Sequence, residues 1–201
     1  MAFSKMSERG CRLGAWSLGL GLWLCMGGQL LLLYLDGKLT PAAALPLHLC
    51  GFNGVIALPA LLKPRSSARE FLFFPGLPGA LGALLFPCPA RVTHQAWMNF
   101  FFMGLHALLA AAALYPRRER CPRPWGVLAW GNGLILSAML ANRLFDANFL
   151  FLRWAPAGTP LAFLHQWGRG GYLLAVEALL IAGILIRKKG NGMIASKHNK
   201  T

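Results

Sequence analysis

A chain of 201 residues with 56% hydrophobic and only 13% charged residues is too apolar for an ordinary soluble domain, whose charged share is nearer a quarter. The formal net charge of +14 would suit nucleic acid, but the basic residues fall in short clusters between apolar runs, with no finger spacing and no aromatic-and-basic surface. Five scattered cysteines (Cys11, Cys25, Cys50, Cys88, Cys121) contain no CxxC pair and argue against a disulfide or zinc framework.

Residues 1–13 are polar and basic and read as a cytoplasmic segment. Gly14 to Leu35 then passes without a charge, too long for a signal-peptide core and without a clean small-residue cleavage site, so it predicts a retained first transmembrane helix. Five more apolar runs follow, Pro46 to Leu62, Phe71 to Pro87, Ala96 to Tyr115, Pro124 to Phe145 and Gly170 to Ile186. The expected fold is an all-α, polytopic bundle of six transmembrane helices over residues 14–186, closed by a basic cytoplasmic tail, 187–201. Pro75 and Pro78 predict a kink or a break in the third span. With both termini inside, fifteen lysines and arginines fall on the cytoplasmic side (Lys5, Arg9, Arg12, Lys63, Arg65, Arg69, Arg117, Arg118, Arg120, Arg123, Arg187, Lys188, Lys189, Lys197, Lys200) against five outside (Lys38, Arg91, Arg143, Arg153, Arg169), which sets the orientation. Trp97, Trp154, Trp167 and Tyr172 sit where aromatic belts belong.

The stretch LPLHLCGFNG, Leu45 to Gly54, sets His48, Cys50 and Asn53 inside an apolar run. Lipid satisfies no polar group, so such side chains face protein or a wet cavity and are functional candidates. If the helix runs from Pro46, His48 points away from Cys50, while Cys50, Asn53 and Gly54 share a face, with Cys50 roughly 7 Å below the outer end. A base for Cys50 then comes from another helix, and His106 in the fourth span is the candidate. Only a thiolate attacks an ester, so the pair reads as nucleophile and base; the plainer reading is a small core residue beside a hydrogen-bonded histidine. On the fourth span Asn99, Met103, His106, Ala110 and Ala113 form a stripe expected to face protein. Glu177 is either catalytic or structurally hydrogen-bonded, and Asn53, Asn132 and Asn142 are expected in interhelical hydrogen bonds. His48, His94, His106 and His165 lack HExxH or HxxxH spacing, and no metal is expected.

Several of these residues carry a family likeness. The PLHLC segment from Pro46 to Cys50, Phe102 followed by His106, Asn142 and Asn148 followed by Phe149, Phe151, Leu152 and Pro156, and Tyr172 with Glu177 occur in order from about Leu45 to Glu177. In these motifs the chain resembles the YwaF family of bacterial integral membrane proteins, itself similar to a vertebrate transmembrane acyltransferase of ether phospholipids. Met103 stands where that family often has a phenylalanine. The resemblance implies six helices in a bacterial cytoplasmic membrane, and coenzyme-A-independent acyl transfer from phospholipid to lysophospholipid through a cysteine thioester, with no cofactor. Cys50 and His106 would be catalytic, with His48, Asn53, Asn142, Asn148 and Glu177 as a supporting polar cluster. Hydrolysis of a lipid ester is the close variant. The alternative from a different class is a non-enzymatic transport or accessory protein whose polar groups line a path or a helix interface.

Overall fold

The computed structural model describes residues 8–63, 65–116 and 125–198, with side chains described as far as residue 185. Lys5, Arg117, Arg118, Arg120, Cys121, Arg123 and Lys200 lie outside the described residues, and so do the side chains of Arg187, Lys188, Lys189 and Lys197. All regular structure among the described residues is helical: α1 (Glu8–Leu35), α2 (Pro41–Ala44), α3 (Leu49–Leu62), α4 (Ser67–Phe73), α5 (Gly76–Leu85), α6 (Gln95–Leu114), α7 (Gly126–Leu144), α8 (Pro160–His165) and α9 (Gly168–His198), with a 3-10 turn at Phe149–Phe151. Three helices, α1, α6 and α9 over Gly168–Leu185, are long and apolar enough to cross a membrane, and α3 is a shorter apolar helix.

The seam between α1 and α6 is written in glycine. Gly14, Gly21 and Gly28 recur every seven residues and meet Tyr115, Leu108 and Phe101, which recur at the same interval in the reverse direction. A Cβ on Gly21 would lie 3.0 Å from Leu108, and one on Gly28 2.7 Å from the Phe101 ring. The two helices therefore run antiparallel in close approach, as small residues permit where lipid supplies no hydrophobic drive. Replacing Gly28 by leucine should force this seam apart at a cost of about 1–3 kcal/mol. A lower thermal midpoint in detergent, set against an unchanged midpoint for Gly27→Leu, whose Cβ would meet nothing within 4 Å, checks it.

On the other side of α1, Gly19 meets Leu58 and Met26 meets Gly54, so α3 lies in the centre of the bundle. Leu22, Ala57, Ala60, Leu105, Leu109 and Ala112 make one buried core between α1, α3 and α6. Ile56, Phe71, Val127, Leu134, Leu180 and Ile184 make a second between α3, α4, α7 and α9. The predicted break falls at Pro75: α4 ends before it, α5 begins after it, and Pro78 lies in the first turn of α5, where its missing N–H costs little. Outward, Leu13, Trp16, Leu20 and Leu24 of α1 and Leu136, Leu140 and Leu144 of α7 form exposed apolar stripes that suit lipid rather than water. Trp97, Trp154 and Trp167 are exposed, as an aromatic belt requires.

At the end of α6 the sequence is misleading. Arg69, counted as a loop charge for orientation, is buried; it donates from Nη1 to the Ala112 carbonyl at 2.6 Å and from Nη2 to the Tyr115 carbonyl at 2.5 Å. It adds a charged donor to the Ala112 carbonyl, which also accepts the Tyr115 N–H at 3.2 Å, satisfies the Tyr115 carbonyl just beyond the helix, and places a cation at the negative end of the helix dipole. At the opposite end, Asp36 joins two loops by accepting from the Thr93 backbone N–H at 2.7 Å and from Lys38 at 3.1 Å. The Thr93 bond, aided by Lys38, holds the Asp36 carboxyl below its ordinary range. A lowered folded value means this tie is fully present above the unfolded aspartate range near 3.9 and is lost as pH falls through the folded value. The thermal midpoints of wild type and Asp36→Ala should accordingly differ at neutral pH and converge in strong acid.

Candidate functional site at the head of α3

Expectation and structure part first at the start of α3. Leu45 closes α2 in an extended conformation, Leu47 N–H turns back to the Leu45 carbonyl at 2.9 Å, and His48 is the extended N-cap of a helix that begins at Leu49. His48 is thus not on the helix with Cys50, and the argument from opposite helix faces does not apply to it. Cys50 occupies the first turn of α3 rather than a position several residues inside. The His48 side chain makes no capping hydrogen bond, and the Cys50 and Gly51 N–H groups have no acceptor among the described residues. Cys50 packs against the α1–α3–α6 core, close to Gly79 of α5, whose Cβ would stand 3.6 Å from Sγ. Sγ makes no hydrogen bond among the described residues.

His106 is buried on α6, with Nδ1 2.7 Å from the Phe102 carbonyl and its ring against that of Phe102. A carbonyl can only accept, so Nδ1 carries the proton and Nε2 of the neutral ring is the free lone pair. Leu105, beside it, faces Gly54, which sets His106 about one turn deeper than Cys50, roughly 6 Å along the axis. The stripe on α6 is split: His106, Ala110 and Ala113 are buried, while Met103 and Asn99 are exposed, Asn99 accepting from Gln95 of its own helix.

Neither Asn53 nor Asn132 makes an interhelical bond among the described residues. Asn53 and Asn132 each donate to the carbonyl four residues earlier, Leu49 and Leu128. Asn53 is fully buried and its Oδ1 has no partner; the same holds for the buried Oε1 of Glu177 on α9. Asn142 instead brackets Phe149, donating to its carbonyl at 3.1 Å and accepting from its N–H at 2.6 Å. Asn148 closes the next stretch, accepting from Arg153 N–H and donating to the Trp154 carbonyl.

Between these asparagines the chain folds over the head of α3. Leu150 and Phe151 have φ of 55° and 54°, a left-handed conformation that costs a bulky residue on the order of 1–3 kcal/mol. The turn holds because Tyr172 donates to the Leu150 carbonyl at 2.9 Å and His165 Nε2 to the Phe151 carbonyl at 2.5 Å. Its aromatic rings flank His48, Phe149 at 5.4 Å and Phe151 at 5.1 Å between centroids. Tyr172, expected in an aromatic belt, is therefore buried and bonded. His94, His48, His106 and His165 occupy separate settings, and among the described residues no three His, Cys, Asp or Glu side chains gather into a metal-holding group.

A helical bundle with exposed apolar stripes, polar side chains buried among its helices and three helices fit to cross a membrane is an integral membrane protein. The chain belongs to the TMEM164 family, a transmembrane family that it matches over residues 2–187. The same comparisons match no curated protein and no solved structure. The matched description names neither the YwaF family nor a bacterial membrane, so those expectations gain nothing from it.

Proposed function

We propose that the chain is a membrane-embedded lipid acyl-ester enzyme that moves an acyl chain, without coenzyme A, from a phospholipid to a lysophospholipid through a thioester on Cys50. The observation that carries this reading is the His106 Nδ1 bond to Phe102, because it leaves Nε2 as a proton acceptor on a helix packed against that of the thiol. His106 takes the Cys50 proton, the thiolate attacks the ester carbonyl, and the carbon–oxygen bond breaks as the departing lysolipid oxygen receives that proton. A second lysolipid hydroxyl, or water in the hydrolytic variant, then attacks the thioester. The unpartnered Cys50 and Gly51 N–H groups suit the oxyanion formed at each attack. The ether-phospholipid preference that the YwaF resemblance implies belongs to this proposal.

The test is direct: incubation with a phospholipid carrying a labelled acyl chain, hydroxylamine release, and mass spectrometry of the Cys50 peptide. A hydroxylamine-labile acyl group on Cys50 supports the reading, and its absence during measurable turnover rejects it. Transport or accessory function is the second reading, favoured by the unpartnered oxygens of Asn53 and Glu177, which suit a polar path. Absence of turnover of any lipid would favour it.

The proposed topology has six spans, α4 and α5 together forming the third and both termini cytoplasmic. It is supported by the basic-residue asymmetry. An impermeant maleimide should label cysteines introduced at 155–158 in intact cells and fail to label one at residue 65. The reverse pattern would invert the orientation.

A further inference from the structure

Three successive carbonyls of residues 149–151 each accept from a different side chain on a different element: Phe149 from Asn142 at the end of α7, Leu150 from Tyr172 on α9, and Phe151 from His165 on α8. The His165 and Tyr172 rings stack at 4.5 Å and 30°, so their two donors are presented side by side. Two bulky residues in left-handed backbone do not hold such a turn unaided, and here side chains hold it against the strain. What the turn touches is His48, whose ring forms no hydrogen bond among the described residues and lies between Phe149 and Phe151, two residues from Cys50.

We propose that Asn142, His165 and Tyr172 are positioning residues. By holding the backbone of 149–151 they fix the imidazole of His48 at the outer end of α3, where a lipid ester entering from the outer leaflet meets it before reaching Cys50. The side chains of the turn supply the walls, and the three donors supply the geometry. His48 has a nitrogen free for a hydrogen bond to the ester or glycerol oxygens of that lipid.

Ethoxycarbonylation by diethyl pyrocarbonate, followed at each histidine by mass spectrometry in detergent-solubilised full-length protein, tests the positioning without any catalytic assay. Tyr172→Phe keeps the stacked ring and loses only the donor; it should raise the His48 rate severalfold and leave His106 at its wild-type rate. His165→Leu should do the same, whereas His165→Gln, which retains an N–H donor, should restore most of the protection. An unchanged His48 rate in Tyr172→Phe and His165→Leu, or a rise shared equally by His106, overturns the proposal. A second arm rests on the acyl-transfer reading: in labelled-lipid turnover, Tyr172→Phe should lower kcat/KM about tenfold through KM, the size expected for one lost hydrogen bond, whereas a smaller folded fraction would leave KM alone. A loss confined to kcat would overturn the positioning role in turnover. If wild type turns over no lipid but the His48 rates respond as expected, the acyl-transfer reading fails and the positioning stands.

Discussion

Cys50→Ala is expected to abolish acyl transfer between phospholipids in reconstituted membranes while the protein folds nearly as before. The side chain is small, makes no hydrogen bond among the described residues, and contributes only a minor part of the packing beside Gly79 and the core of α1, α3 and α6. Of the other described cysteines, Cys25 meets Gly104 on the α1–α6 seam, Cys11 accepts through its carbonyl from Tyr115, and Cys88 is exposed beyond the end of α5, so none is expected to replace Cys50 in the proposed step. His106→Ala should reduce the rate by about 10²–10⁴, the usual range for loss of a general base. Glu177→Gln keeps shape and should cost far less. Labelled-acyl exchange between a phospholipid and a lysophospholipid, measured on proteins matched for gel-filtration behaviour, reads all three. Turnover that survives Cys50→Ala would remove the thioester mechanism.

The largest expected effect on stability is that of Arg69→Met. The Ala112 carbonyl would fall back on the Tyr115 N–H alone and the Tyr115 carbonyl would lose its charged donor, each lost bond to a charged donor costing about 1–3 kcal/mol. A total of about 2–5 kcal/mol would consume much of the stability of a domain this size. Arg69→Lys should recover part of it, because an ammonium reaches one carbonyl but lacks the fork that reaches two. Thermal midpoints in one detergent, at one scan rate, give the order wild type, then lysine, then methionine. Equal midpoints for the two variants would show that the fork contributes nothing.

Much of the fold was legible because apolar runs and prolines are local signals. The runs located α1, α3, α6, α7 and α9, and Pro75 with Pro78 located the interruption between α4 and α5. The start of α3 was misread because Pro46 invites a helical first turn, whereas α2, capped by Thr40 with Pro41 in its first turn, already uses the preceding residues, and the chain turns tightly at Pro46 and reaches α3 through an extended His48. Asn99 and Met103 share a periodicity with His106, but periodicity does not say how far up a helix its neighbours reach. Arg69 looked like an inner-loop charge because its partners lie 43 and 46 residues away, a relation no local pattern contains. Of the site, Cys50, His106 and the polar cluster were visible as polar groups in apolar surroundings. The work of Tyr172 and His165 was not, since both bind main-chain atoms of a turn whose backbone conformation has no residue signature.

The glycine seam also sets an order of events during synthesis. About 60 residues separate the end of α1 from the start of α6, its most extensive neighbour, so at 5–20 residues per second α1 waits about 3–12 s before that partner emerges. Through that interval Gly14, Gly21 and Gly28 present a bare groove to lipid, and only α3 is available sooner, on the opposite flank. Insertion and assembly are thus separate stages for this chain: a bulky substitution along the groove leaves α1 as readily inserted as before and leaves α6 with nowhere to dock. The result would be a protein that reaches the membrane in full yield and is then cleared by quality control as an incomplete bundle.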